Sequence, residues 1–244
     1  MEKESIKIQL NVLAKDIENA KEIVEQTQGN VFIGMMVKNY SSSEEAVHHI
    51  KSMQEAGVPV SVGLGAGDPA QWKRVAEVAV QTKPVHVNQA FPAAGYTLGA
   101  LRQAGSSHTL VNALIRPAGV PGKVWIGTGP ISQSFEEMVS CEAAAAMLAE
   151  IGVHSVKFYP VEGIKRLDEI AGMVRAAVKH GIQVFEPTGG IDTKTIAAVV
   201  KVCAENGARH IIPHIYTAIV DKETGRTRLE DIRALQNAVK EVLG

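Results

Sequence analysis

Strand-like and helix-like segments alternate along this chain from one end to the other, and that alternation limits the folds open to it. Residues 6–13 alternate polar and apolar as a strand does, and Asp16 then caps a helical stretch to about residue 28. The pattern repeats with strands at 31–37, 59–64, 85–89, 109–115, 155–159, 183–185 and 210–215. Helices are expected at 42–56, from Asp68 and Pro69 onward, and at 96–104, 135–151, 167–179, 193–206 and 229–243. Residues 123–126 read as an added strand. Gly57 stands where a glycine follows a helix end. Strict β/α alternation implies a parallel sheet covered by helices. Eight such units in 244 residues, with no linker between them, imply one (β/α)₈ TIM barrel over residues 1–244. The alternative, an open doubly wound sheet, lacks its dinucleotide fingerprint here, because Gly63-Leu64-Gly65-Ala66-Gly67 does not fit Gly-x-Gly-x-x-Gly.

Composition narrows the function. A formal net charge of -1 leaves no basic footprint for nucleic acid. No apolar run approaches the ~18 residues of a membrane span, and residues 1–10 lack the apolar run of a signal peptide. The two cysteines, Cys141 and Cys203, fall in helix-like stretches and read as buried free thiols, so a cytoplasmic location is expected. No His/Cys/Asp spacing typical of a metal site occurs, and neither metal nor cofactor is expected.

In a barrel the active site lies at the C-terminal ends of the strands. Lys157, in Ser155-Val156-Lys157-Phe158-Tyr159-Pro160, stands at such an end. Alternation puts Val156 and Phe158 under the helices and turns Ser155, Lys157 and Tyr159 inward. An ammonium there is either paired with an interior carboxylate or, once desolvated, an amine nucleophile able to form a Schiff base. On the next strand, Glu186 shares the inward face with Thr188. It reads equally as a proton carrier or as an ion-pair partner of Lys157. Gly189 and Gly190 let backbone N–H groups approach an anion, and a helix starting at Asp192 or Thr193 would favour one. Lys38, Asn88, Asn112, Arg116 and His214 also lie at strand ends. A cation among them could hold a substrate carboxylate; rim solvation, or a hydrogen-bonded core histidine at 214, is the plainer account.

Lys157-Phe158-Tyr159-Pro160 resembles the Lys-Leu-Phe-Pro segment of 2-keto-3-deoxy-6-phosphogluconate aldolases, (β/α)₈ barrels whose Schiff-base lysine lies in that segment. Pro187-Thr188-Gly189-Gly190-Ile191 matches their phosphate and pyruvate loop letter for letter, and Gly65-Ala66-Gly67 resembles a third-strand segment. Over its whole length the chain is most similar to the branch acting in D-glucosaminate 6-phosphate degradation. Two departures stand out. Gly34 occupies the position of their second-strand glutamate, and Ile212-Pro213-His214-Ile215-Tyr216 replaces a Gly-Gly-Ser phosphate contact. Lys38 falls where they keep a carboxylate-binding arginine.

The resemblance implies a class I aldolase that cleaves 2-keto-3-deoxy-6-phosphogluconate to pyruvate and glyceraldehyde 3-phosphate. Catalysis would fall to Lys157 and Glu186, and substrate binding to Lys38, Thr188, Gly189, Gly190 and His214. A keto sugar acid phosphate is the expected small-molecule partner and a homo-oligomer the expected assembly. Two rivals remain open: a 4-hydroxy-2-oxoglutarate aldolase, and a barrel that binds a sugar phosphate without turning it over.

Overall fold

Parallel strands pair in sequence around the molecule until the last returns to the first. The computed structural model describes residues 6–243. In chain order the elements begin with β1 (Lys7–Ile8), β2 (Leu10–Val12), α1 (Ile17–Gln26), β3 (Val31–Met36), α2 (Ser43–Glu55), β4 (Val60–Gly63) and α3 (Trp72–Thr82). They continue with β5 (His86–Ala90), α4 (Phe91–Gln103), β6 (Leu110–Pro117), β7 (Lys123–Trp125), β8 (Val139–Ser140) and α5 (Cys141–Ile151). They finish with β9 (Ser155–Phe158), α6 (Leu167–Lys179), β10 (Val184–Pro187), α7 (Ile196–Glu205), β11 (His210–Ile211), β12 (His214–Ile215) and α8 (Leu229–Leu243).

The pieces β1 and β2 form one barrel strand interrupted at Gln9. The pieces β11 and β12 form another, interrupted at Ile212 and Pro213. Pro213 has no N–H to give a ladder, which accounts for the break beside it. The two interrupted strands pair with each other, Lys7 with His210 and Asn11 with His214. Hydrogen bonds from Gln9 N to Ile211 O and from Asn11 N to Pro213 O, each 3.0 Å, carry the ladder across the gap. Since β2 also pairs with β3, the sheet closes as a (β/α)₈ barrel. The strands β7 and β8 are an antiparallel excursion from the end of β6.

Helix signals act where they are expected. Asp16 accepts from Asn19 N at 2.9 Å to start α1, and Ser42 caps α2. Two helix starts on either side of β6 differ from the sequence expectation. The helix placed at 135–151 begins only at Cys141, because Ser140 accepts from Ala143 N and Val139–Ser140 pairs with β7. The helix placed at 96–104 begins at Phe91, directly after β5, with Pro92 in the first turn, where its missing N–H costs nothing.

Two chemically different layers result. Val156, Phe158, Phe185 and Ile211 are fully buried among the helices, and the Phe158 and Phe185 rings lie 5.9 Å apart. The barrel interior is polar instead: Asn11, Ser61, His86, Asn88, Asn112, Ser155, Lys157, Glu186 and His214 are all buried. Both cysteines are buried free thiols. Among the described residues, no helix is long and apolar enough to cross a membrane, and no group of three His, Cys, Asp or Glu side chains is arranged to hold a metal. Phe185→Ala should cost about 3–5 kcal/mol, the usual cost of emptying a buried aromatic site. Equilibrium denaturation measures it, and a loss below ~1 kcal/mol would contradict this packing.

Candidate active site

Lys157 and Glu186 stand side by side in register on β9 and β10. The Lys157 side chain turns inward and its Nζ donates to Asn88 Oδ1 at 2.9 Å. It also lies 3.2 Å from His214 Nδ1. Burial holds its ammonium down to about 8, and the Glu186 charge pulls weakly the other way. At pH 7 about a tenth of such a group is free amine, some 300-fold more than for an ordinary lysine.

The Glu186 carboxylate is sealed off, with no exposed surface. One oxygen accepts from His86 Nε2 at 3.0 Å and from the Ser155 hydroxyl. The other accepts from Asn112 Nδ2 at 2.7 Å and from His214 Nε2 at 2.8 Å. Desolvation opposes its charge, but its histidine partners outweigh that and hold its pKa well below the usual range. The hydrogen count fixes both rings. The Ser61 oxygen accepts from Asn11 Nδ2 and Asn88 Nδ2, so its own proton goes to His86 Nδ1 at 2.7 Å. His86 therefore turns an Nε2 proton toward Glu186. His214 gives its Nε2 proton to Glu186 and keeps Nδ1 as an acceptor. Burial first, and the neighbouring Lys157 charge second, push its pKa down to about 3.

Above this layer opens a cavity of about 390 Å³ at the C-terminal ends of the strands. Lys38, Lys157, Tyr159, Thr188, Gly189, Gly190, His214 and Tyr216 are on its wall. Lys38 reaches it along Gly65, where a Cβ would come within 2.7 Å of the lysine Cδ. Gly190 has φ +71°, and a Cβ there would meet Gly163 N at 2.7 Å, so only glycine lets the loop after β9 pack against the loop after β10. Among the described residues, neither the Gly190 nor the Ile191 amide is taken by a protein acceptor.

The structure thus brings six of the seven residues expected from sequence onto one cavity: Lys157, Lys38, Thr188, Gly189, Gly190 and His214. Glu186 is the correction. It does not line the cavity, because the His214 ring stands over it and all its lone pairs are filled. The helix after the glycine loop also begins later than expected, at Ile196, and Asp192 caps its approach by accepting from Lys194 N and Thr195 N. That leaves an incoming anion the loop amides rather than the helix end. Arg116 stacks over Trp125, 5.0 Å from the ring centroid, away from the cavity. His86, Ser61 and Asn11 complete the polar layer and are not singled out by the sequence motifs. Their signal was a polar residue on the inward face of an otherwise apolar strand, as with His86 and Asn88 in Val85-His86-Val87-Asn88.

A family model described as KDGP aldolase matches residues 4–223. The chain belongs to the KDGP aldolase family. A relative from Salmonella typhimurium (strain 14028s / SGSC 2262), named 2-dehydro-3-deoxy-phosphogluconate aldolase, is 43% identical over 235 residues. The match covers 96% of this chain and 95% of the relative. Membership of the KDGP aldolase family makes this chain an aldolase, a carbon–carbon lyase. Solved structures agree in fold. A structure titled KGPDC from Streptococcus mutans superposes with TM-score 0.62 at 10% identity, covering 98% of this chain and 100% of that one. A 3-hexulose-6-phosphate synthase from Salmonella typhimurium gives 0.58 at 15% identity, covering 97% and 100%.

The depressed Lys157 pKa has a direct readout. Only the neutral amine acylates, so its reactivity should be half-maximal near pH 8 and fall about tenfold per pH unit below that. Competitive labelling with acetic anhydride and peptide mapping measures the midpoint. A value near that of an ordinary lysine would contradict the burial.

Proposed function

We propose that this chain is a class I aldolase that cleaves 2-keto-3-deoxy-6-phosphogluconate to pyruvate and glyceraldehyde 3-phosphate, in the branch that acts on D-glucosaminate 6-phosphate breakdown. The observation that carries the proposal is Lys157: a buried lysine on the cavity wall, with its pKa lowered to about 8 and a neutral histidine acceptor beside it. Its amine adds to the C2 ketone and water leaves, giving a protonated imine. The imine draws in the C3–C4 bonding electrons as the C4 hydroxyl loses its proton. Glyceraldehyde 3-phosphate departs, an enamine of pyruvate remains, and protonation at C3 followed by hydrolysis restores the lysine. Glu186 takes part from beneath, as the fixed negative charge that orients His214 and balances the cation on Lys157.

For the two ends of the substrate, Lys38 is the cation suited to the carboxylate. The free amides of Gly190 and Ile191 suit the phosphate. One observation favours a second reading: the cavity wall beyond β12 is Tyr216, Thr217 and Ala218, with no glycine pair to hold a phosphate. An unphosphorylated 4-hydroxy-2-oxoglutarate would need no such pair.

Borohydride reduction in the presence of pyruvate should leave a pyruvate-derived mass on Lys157. Lys157→Arg should abolish both the label and cleavage while the fold persists. A label on Lys38 or Lys165 would overturn the assignment, and no label at all would favour a barrel that binds without turnover. Removing the 6-phosphate from the substrate should lower kcat/KM by about 10²-fold, and Lys38→Met should lower it by roughly tenfold or more, the worth of a charged hydrogen bond. Equal kcat/KM with and without phosphate would transfer the proposal to 4-hydroxy-2-oxoglutarate.

A further inference from the structure

The reaction above needs a group that takes the C4 hydroxyl proton and later returns one to C3. Few side chains on the cavity wall can do so. Lys157 is spent as the imine, and Lys38 sits exposed at the mouth. Tyr159 packs its ring against Gly67 and Gly189. His214 reaches the cavity, but its Nδ1 faces Lys157 Nζ at 3.2 Å and Tyr216 Oη at 3.1 Å. The Tyr216 hydroxyl also lies 3.3 Å from Asn11 Oδ1. Gly34 leaves that hydroxyl its space, since a Cβ at 34 would lie 3.3 Å from it.

Two donors therefore compete for the one open lone pair of His214. While Lys157 is an ammonium, it can hold Nδ1 and leave the Tyr216 proton to Asn11. Once Lys157 is an imine, its nitrogen keeps at most one proton, and Nδ1 falls to Tyr216.

We infer that Tyr216 is a catalytic residue of this site, the group that carries protons between the substrate and His214; the inference rests on the imine reading of Lys157. In the cleavage step the C4 oxygen gives its proton to Tyr216 Oη while Tyr216 gives its own to His214 Nδ1. The C3–C4 electrons neutralise the iminium, and the C4 oxygen becomes the aldehyde carbonyl. His214, relieved of the Lys157 charge that helps to lower its pKa and held by the Glu186 carboxylate that raises it, ends as an imidazolium with Nε2–H still on Glu186. The positive charge has moved from the Lys157 nitrogen to the adjacent ring, and both positions neighbour Glu186. In the return step Tyr216 gives a proton to enamine C3 and recovers one from His214, so the cycle closes with no proton left over. Burial and the Glu186 charge raise the phenol's pKa, which suits a group that releases its proton only as it gains another.

Tyr216→Phe keeps the ring and removes the carrier. Borohydride trapping of pyruvate should survive within about threefold, which also shows that the barrel is intact. Cleavage, and exchange of the pyruvate methyl protons with deuterium from solvent, should both fall by about 10²-fold or more, the usual worth of a positioned acid/base group. Fluorinated tyrosines placed at 216 should change the cleavage rate in the order of their acidity, which a purely structural hydroxyl would not do. Cleavage and exchange within about fivefold of the wild type in Tyr216→Phe, or a rate indifferent to fluorination, would overturn the role of Tyr216 while leaving the aldolase reading in place. Absence of trapping in the wild-type protein would instead overturn that reading, and this inference with it.

Discussion

One buried carboxylate organises the interior of this barrel. Glu186 accepts four hydrogen bonds from side chains on four other strands: His86, Asn112, Ser155 and His214. A carboxylate without surface exposure would be ruinous if left unpaired, and removing any one partner would leave part of that cost standing. The carboxylate therefore dictates what its neighbours are. Both histidines must present Nε2–H to it, Ser61 must give its proton to His86, and Asn88 is left with its oxygen toward Lys157. The orientation of the lysine amine is the last link in that chain of assignments.

Much of this was legible in the sequence, for reasons that particular residues make clear. The inward turn of Lys157 and Glu186 follows from strand alternation alone, since Val156, Phe158 and Phe185 claim the outer face. The cap at Asp16 is local chemistry and was readable as such. What sequence could not supply was depth along the barrel axis. Glu186 and Thr188 share an inward face, yet one lies beneath the His214 ring and the other on the cavity wall. Register between distant strands decides that. The stretch 135–140 failed differently. Its composition suits a helix, but pairing of Val139–Ser140 with β7 overrides a weak local preference.

The cavity wall follows the same logic of enforced neighbours. Tyr159 lies between Gly67 and Gly189, and the loop after β9 is tied to the loop after β10 by hydrogen bonds from Val161 N to Thr188 O and from Gly163 N to Gly189 O. The segment that follows Lys157 thus also braces the glycine loop. A substrate held by that loop would be positioned against the amine through backbone hydrogen-bonded to the lysine's own strand end.

The way the barrel closes bears on when a working site can exist. Asn11 and Tyr216 meet across 205 residues of chain, and His86 meets Glu186 across 100. Contacts of such sequence separation must overcome large loop-closure entropy and tend to form late. The lysine, its histidine and its tyrosine come together only when the split first and last strands join. A partly wound barrel would carry Lys157 without the burial that lowers its pKa and without the histidine that faces its amine, so the site is a property of the closed barrel and of no smaller piece of it.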